Sequence, residues 1–261
     1  MERLMCLQVS ALGVAVEVAV NGLPVLRLPE GAPPRCLPVH EVLLAGENRI
    51  SLTIAPPPPG LDGAAAQPRV AAAEQMAVAR LLLVRQGRTP ESPSTRELAA
   101  ARWAVAAGES YEAPTTVHQD VNLPVGFPRW RWLDAPVMPA SPRLDALLLS
   151  WLQKLAFELS RGRPDMLLAC SRLKLDELGQ AYQWPAGQAA ERLKAGLQAL
   201  HESGSLASLQ PPTAADVILR PVAGGRLIDC LNALGEPALQ VPSTTWPLRV
   251  AVVEGQVYVL R

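Results

Sequence analysis

The stretch PVMPASPRLDALLLSWLQKLAFEL, residues 136–159, decides how this chain reads. Pro136, Pro139 and Pro142 close whatever precedes them. Ser141-Pro142 is a helix start, because a serine oxygen caps the first turn and proline already carries its φ angle. Leu144, Leu147, Leu148, Trp151, Leu152, Leu155 and Leu159 then recur at intervals of three and four. That spacing lays one wide apolar stripe along a long amphipathic helix, which Gly162 and Pro164 end.

Downstream, a second helix is predicted from about Asp165 to Tyr182, interrupted by Gln183-Trp184-Pro185. A third runs from Ala186 to Glu202, carries Ala189, Leu193, Leu197 and Leu200, and stops at Gly204. Short strands follow at Val217 to Leu219, Arg226 to Leu231 and Ala238 to Val241. Leu248 to Val253 and Gln256 to Leu260, joined by Glu254-Gly255, read as a final hairpin.

Upstream of position 136 the rhythm is two. Val14, Val16, Val18 and Val20 alternate with Ala15, Glu17 and Ala19, and Asn21-Gly22 supplies the positive φ angles of a tight hairpin before Leu23 to Leu28. Cys36 to Leu44 reads as another strand, and Ile50, Leu52 and Ile54 alternate again after the Gly46-Glu47-Asn48 turn. Pro56 to Pro59 cannot donate ladder hydrogen bonds, so residues 56–68 read as a stiff loop. Val78 to Val84 and Thr115 to Leu123 are further strands, whereas Glu97 to Ala106 combines helix-favouring alanines with strand-favouring Trp103 and Val105. The fold class is therefore α+β: an N-terminal antiparallel β-sandwich over residues 1–138, then an α+β domain over 139–261 with helices in 142–203 and strands in 216–261.

Composition narrows the function classes. The 261 residues are 49% hydrophobic, enough for a real core, and 24 basic residues balance 24 acidic ones. Zero net charge gives no support for a nucleic-acid or anionic-membrane partner. It also removes one barrier to self-association, so a homodimer stays open. Leu4 to Val20 is apolar, but it follows Met1-Glu2-Arg3 and is broken by Gln8, Ser10 and Glu17, unlike a signal peptide. The expected location is cytoplasmic. Cys6, Cys36, Cys170 and Cys230 lie far apart in sequence and read as small buried thiols in a reducing compartment, with a disulfide between two of them left open.

Chemical signatures are sparse. Phosphate loops, dinucleotide fingerprints and nucleophile elbows are missing. His40-Glu41 starts like a zinc-protease helix, but Leu44 stands where the second histidine belongs. His118 and His201 are remote from His40, and His201 suits the C-terminal end of a helix. Glu41, Glu47, Asp176 and Glu177 give no diagnostic carboxylate spacing. Residues 174–204 have the outline of a helix-turn-helix, yet their third helix offers only Arg192 and Lys194 as bases. Trp130-Arg131-Trp132 is the most unusual short motif. Strand alternation would put both rings on one face and Arg129 and Arg131 on the other, giving either a stacking platform or a core cap. Tyr182, Asp229 and Tyr258 are the polar groups expected to line any pocket in the back half.

Residues 20–25, Val-Asn-Gly-Leu-Pro-Val, and residues 44–52, Leu-Ala-Gly-Glu-Asn-Arg-Ile-Ser-Leu, resemble a jelly-roll domain of the galactose-binding type. That resemblance implies a β-sandwich scaffold and carries over no ligand residue. The back half, with its ending Trp246-Pro247-Leu248-Arg249 and Glu254-Gly255-Gln256-Val257-Tyr258-Val259, is similar to nuclear-transport-factor-2-like and cystatin-like domains. Those domains imply dimerisation and a conical pocket; the Asp/His pair of their enzymatic members has no counterpart to carry over. The whole arrangement looks like bacterial accessory proteins, including immunity proteins that block toxins of interbacterial competition. The leading expectation is a non-catalytic protein-binding protein of immunity or adaptor type, with no cofactor or metal. The alternatives are a small-molecule binder or enzyme in the back half, and a carbohydrate-binding front half that uses Trp130.

Overall fold

A computed structural model describes residues 3–61, 63 and 65–261. Met1 and Glu2, weighed above, and Asp62 and Ala64 of the expected loop lie outside the described residues. The chain divides into two compact units: Met1–Pro57 with Leu61–Arg129, and Pro58–Gly60 with Trp130–Arg261. The architecture is α+β, with antiparallel sheets first, three helices in the middle and an antiparallel sheet at the end.

Unit 1 is a β-sandwich. Its strands are β1 (Arg3–Leu12), β2 (Val16–Val20), β3 (Leu23–Leu28), β4 (Arg35–Pro38), β5 (Gly46–Ile54), β6 (Gln67–Val70), β7 (Gln75–Arg85), β8 (Arg96–Val105), β9 (Ser110–Ala113) and β10 (Thr115–Leu123). One sheet has the order β4-β1-β7-β8, the other β10-β5-β2-β3, and β6 pairs with β9. The period-two pattern sets the core: Leu7, Val9, Ala77, Ala79 and Leu81 from the first sheet, and Val16, Val18, Val20, Ile50, Leu52 and Ile54 from the second, are fully buried. Each large aliphatic side chain so enclosed contributes about 1.5–3 kcal/mol.

The hairpin signal is realised at Asn21 (φ 53°) and Gly22 (φ 78°), where both central residues need positive φ. Asn48 explains the following turn. Its amide donates to the carbonyls of Leu44 and Gly46 (2.9 Å each), while its oxygen accepts from Leu44 N–H (2.7 Å) and the Asn21 amide (2.9 Å).

Local expectations are corrected at two places, and one open segment is resolved. The strand expected over residues 36–44 is only β4, followed by a 3-10 turn at His40–Val42. The open 97–106 segment is strand β8, because a ladder of nine paired residues on β7 outweighs the alanines' helix preference. Of the cysteines read as buried, Cys36 is exposed and Cys170 half-buried, since β4 is a sheet edge and Cys170 lies off the buried face of its helix.

Unit 2 carries α1 (Pro142–Ser160), α2 (Asp165–Tyr182) and α3 (Gln188–Glu202). Ser141 caps α1 by accepting Leu144 N–H at 3.2 Å, with Pro142 in the first turn. Leu148, Leu152, Leu155, Ala156 and Leu159 are its buried face. Strands β11 (Val217–Val222), β12 (Leu227–Asn232), β15 (Arg249–Val253) and β16 (Gln256–Val259) form the sheet in that order. A separate hairpin joins β13 (Leu239–Val241) to β14 (Thr244–Trp246). Helix α2 packs on α3 and on β16. Among the described residues, no helix is long and apolar enough to cross a membrane.

Candidate functional site

The tryptophan motif does not form the alternating strand expected of it. Arg131–Asp134 is a 3-10 turn, Trp130 is 0% exposed and Trp132 3%. Both rings are therefore enclosed, and neither offers a face to a flat ligand. Arg131 projects outward, while its backbone N–H donates to Glu177 Oε1 at 2.7 Å. The second Glu177 oxygen accepts from Arg261 Nη1 at 2.5 Å, and the Arg261 guanidinium lies 5.2 Å from the Trp130 ring centre. The Trp132 indole N–H is buried and has no acceptor among the described residues.

The three expected pocket residues do not converge. Asp229 is buried in β12, where cross-strand register sets it between Arg220 and Arg249, each 3.5 Å from its carboxylate. Tyr258, in β16, donates its hydroxyl to Gln256 Oε1 at 3.2 Å. Tyr182 ends α2 and stacks on Trp184, with ring centres 5.4 Å apart and planes at 27°.

That stack leads to the site. A cleft of about 240 Å³ lies in unit 2 among α2, α3 and the last strands. Helix α2 supplies Leu167, Leu175 and Leu178, and α3 supplies Ala189 and Leu193. Trp184, Trp246, Pro247, Leu248 and Val259 complete the lining. The lining has one charged group, Lys174, whose ammonium donates to the Pro247 carbonyl at 3.4 Å. Arg192, one turn into α3, holds its guanidinium 4.3 Å from the Trp184 ring centre. Trp184 is thus half-exposed and fixed by an aromatic ring and a cation. Gln183 takes a left-handed conformation (φ 53°) that ends α2 and turns Trp184 back onto it, where its N–H donates to Gly179 O at 2.8 Å.

A second depression, about 450 Å³, lies on unit 1 around Arg49, Asp120 and Asn122. Four of its polar side chains pair among themselves, Asn21 with Asn48 and Arg49 with Asp120. Arg49 grips both Asp120 oxygens (2.7 and 2.9 Å), and this hydrogen-bonded pairing holds the Asp120 carboxyl below, and the guanidinium above, their ordinary pKa ranges. Beside it, Ser51 Oγ meets His118 Nδ1 at 3.0 Å. A serine–histidine–carboxylate triad needs the carboxylate to orient the imidazole, and here Arg49 occupies it instead. His40 is buried in unit 1 and accepts Met5 N–H through Nε2 at 2.7 Å, and His201 sits in the last turn of α3. The described residues contain no group of three side chains placed to hold a metal ion.

Sequence reasoning missed the cleft because its walls come from four separate segments. The legible signals were Gln183-Trp184-Pro185 as a helix interruption and the Trp246-Pro247 pair. No protein-family model, curated protein or solved structure matches this chain.

Proposed function

We propose that this chain is a non-catalytic binding protein of immunity or adaptor type, which seats an apolar side chain of a partner protein in the unit 2 cleft. The observation that carries the reading is the cleft itself, apolar inside and lipped by the Tyr182–Trp184–Arg192 stack. Tyrosine, tryptophan and arginine are the residue types that most often dominate binding energy at protein interfaces, because they bring large contact area with little ordering cost. Size separates the two back-half readings. Drug-sized ligands occupy pockets of roughly 300–1,000 Å³, and this cleft, at about 240 Å³, suits a single inserted side chain better. Lys174 and Arg192 give the rim a positive field, so the partner segment carries carboxylates beside its apolar anchor.

The test is affinity capture from the native cell with wild type, Trp184→Ala and a unit 1 control, Thr116→Ala. A specific partner should bind wild type and the control. Trp184→Ala should weaken it by about 30-fold or more, the scale of a hot-spot residue. A partner retained equally by Trp184→Ala would place the interface elsewhere and defeat the reading.

A further inference from the structure

Two of the four cysteines meet on unit 1. Register sets Cys6 of β1 opposite Pro38, and Cys36 of β4 opposite Gln8, so the thiols are diagonal neighbours on one side of the sheet. Their surroundings differ. Cys6 is buried with Leu82 and Val84 against Leu4, whereas Cys36 is exposed to solvent.

Diagonal Cα atoms are typically about 7–8 Å apart, slightly beyond the roughly 6.8 Å that a disulfide spans. Closing the bond therefore requires β4 to move inward. β4 can yield, because it is four residues long, forms the sheet edge and is paired to β1 alone. Burial pushes the Cys6 thiol up to about 12. Burial also raises Cys36, the Cys6 hydrogen bond opposes that rise, and the Glu91 carboxylate adds to it. At neutral pH the pair is a neutral dithiol, and its oxidation leaves no charge stranded in the sheet.

We propose that Cys6 and Cys36 form a reversible dithiol–disulfide site that takes a small-molecule disulfide as oxidant, Cys36 attacking and Cys6 resolving. The Cys36 thiolate attacks one sulfur of the oxidant and expels the other as a thiolate, giving a mixed disulfide. Cys6, losing its proton, attacks the Cys36 sulfur and expels the second thiol. Two protein thiols are oxidised to one disulfide, and the oxidant is reduced to two thiols. The product staples the edge strand β4 to β1. This site is independent of the unit 2 cleft.

The test incubates the reduced full-length chain with oxidised glutathione, then quenches with acid, alkylates and maps the peptides. The expected product is one Cys6–Cys36 link, reversed by dithiothreitol, with Cys170 and Cys230 still alkylated. Cys6→Ser should accumulate one glutathione on Cys36, and Cys36→Ser none. The rate should rise about tenfold from pH 7 to 8 as the thiolate fraction grows. Should Cys6→Ser fail to fold, an early quench of wild type gives the same readout, because the glutathione adduct on Cys36 precedes the link. Four thiols left reduced, a link to Cys170 or Cys230, or a first adduct on Cys6 would overturn the proposal.

Discussion

Replacing Glu177 should loosen unit 2. The residue is 4% exposed, and its side chain ties α2 to two distant segments: the Arg131 N–H at the start of the 3-10 turn, and the Arg261 guanidinium at the end of the chain. Glu177→Ala removes the carboxylate opposite a buried guanidinium, a change that costs about 3–5 kcal/mol. With a urea slope of about 2 kcal/mol per molar, the midpoint should fall by about 1.5–2.5 M. Tryptophan fluorescence is a suitable probe, because every tryptophan except Trp103 lies in unit 2. Glu177→Met with Arg261→Met should cost less than Glu177→Met alone, because the double change removes both buried charges. The Arg131 N–H still loses its acceptor, so part of the penalty, about 1–3 kcal/mol, should persist. A midpoint shift below about 0.3 M for Glu177→Ala, or purely additive costs in the double variant, would refute the reasoning.

Asn48→Leu replaces a buried side chain that makes four hydrogen bonds, three within the turn into β5 and one with Asn21 of the β2–β3 hairpin. Unit 1 should lose about 2–4 kcal/mol, read as a fall in its melting temperature. Asp120 should titrate below the ordinary aspartate range in carboxyl NMR, because Arg49 hydrogen-bonds its ionised form. Its folded-state pKa is depressed, so its stabilising contribution is present at neutral pH and is lost as the pH falls through that lowered value. Arg49→Gln should move the titration midpoint back up. Gly162→Ala should destabilise unit 2 by about 1–2 kcal/mol in thermal unfolding, the cost of a Cβ in the left-handed region. Gly162 has φ 71°, and the new methyl would also meet the His201 ring at 2.6 Å.

Much of the fold was legible where local rhythm and local chemistry agree. Asn21-Gly22 demanded a hairpin, and the valines before it set the register that buries Val16, Val18 and Val20. Ser141-Pro142 marked the start of α1, and of the residues at three and four spacing Leu148, Leu152, Leu155 and Leu159 are buried, while Leu144, Leu147 and Trp151 are half-buried. Legibility failed where a residue's role depends on partners far along the chain. Trp130 and Trp132 read as an alternating pair, either a stacking platform or a core cap, and the contact from Arg131 N–H to Glu177, 46 residues away, belongs to a turn that sequence spacing does not announce. Asp229 looks like a pocket acid until cross-strand register surrounds it with Arg220 and Arg249. Of the expected site residues only Tyr182 adjoins the cleft, through its stack on Trp184. The cleft brings Lys174 against Pro247, 73 positions away, and sequence spacing carries no trace of that approach. The hairpin β13–β14, which delivers Trp246, lacked the glycine turn that announces Asn21-Gly22.

The most direct test places a photo-crosslinking amino acid at Leu193, on the α3 wall of the cleft, and a second at Thr116 on unit 1 for comparison. On irradiation in the native cell, one discrete adduct to a partner protein should form from position 193 and not from 116, and it should fade when Trp184→Ala is added. An adduct from position 116 with none from 193, or a 193 adduct indifferent to Trp184, would contradict the account.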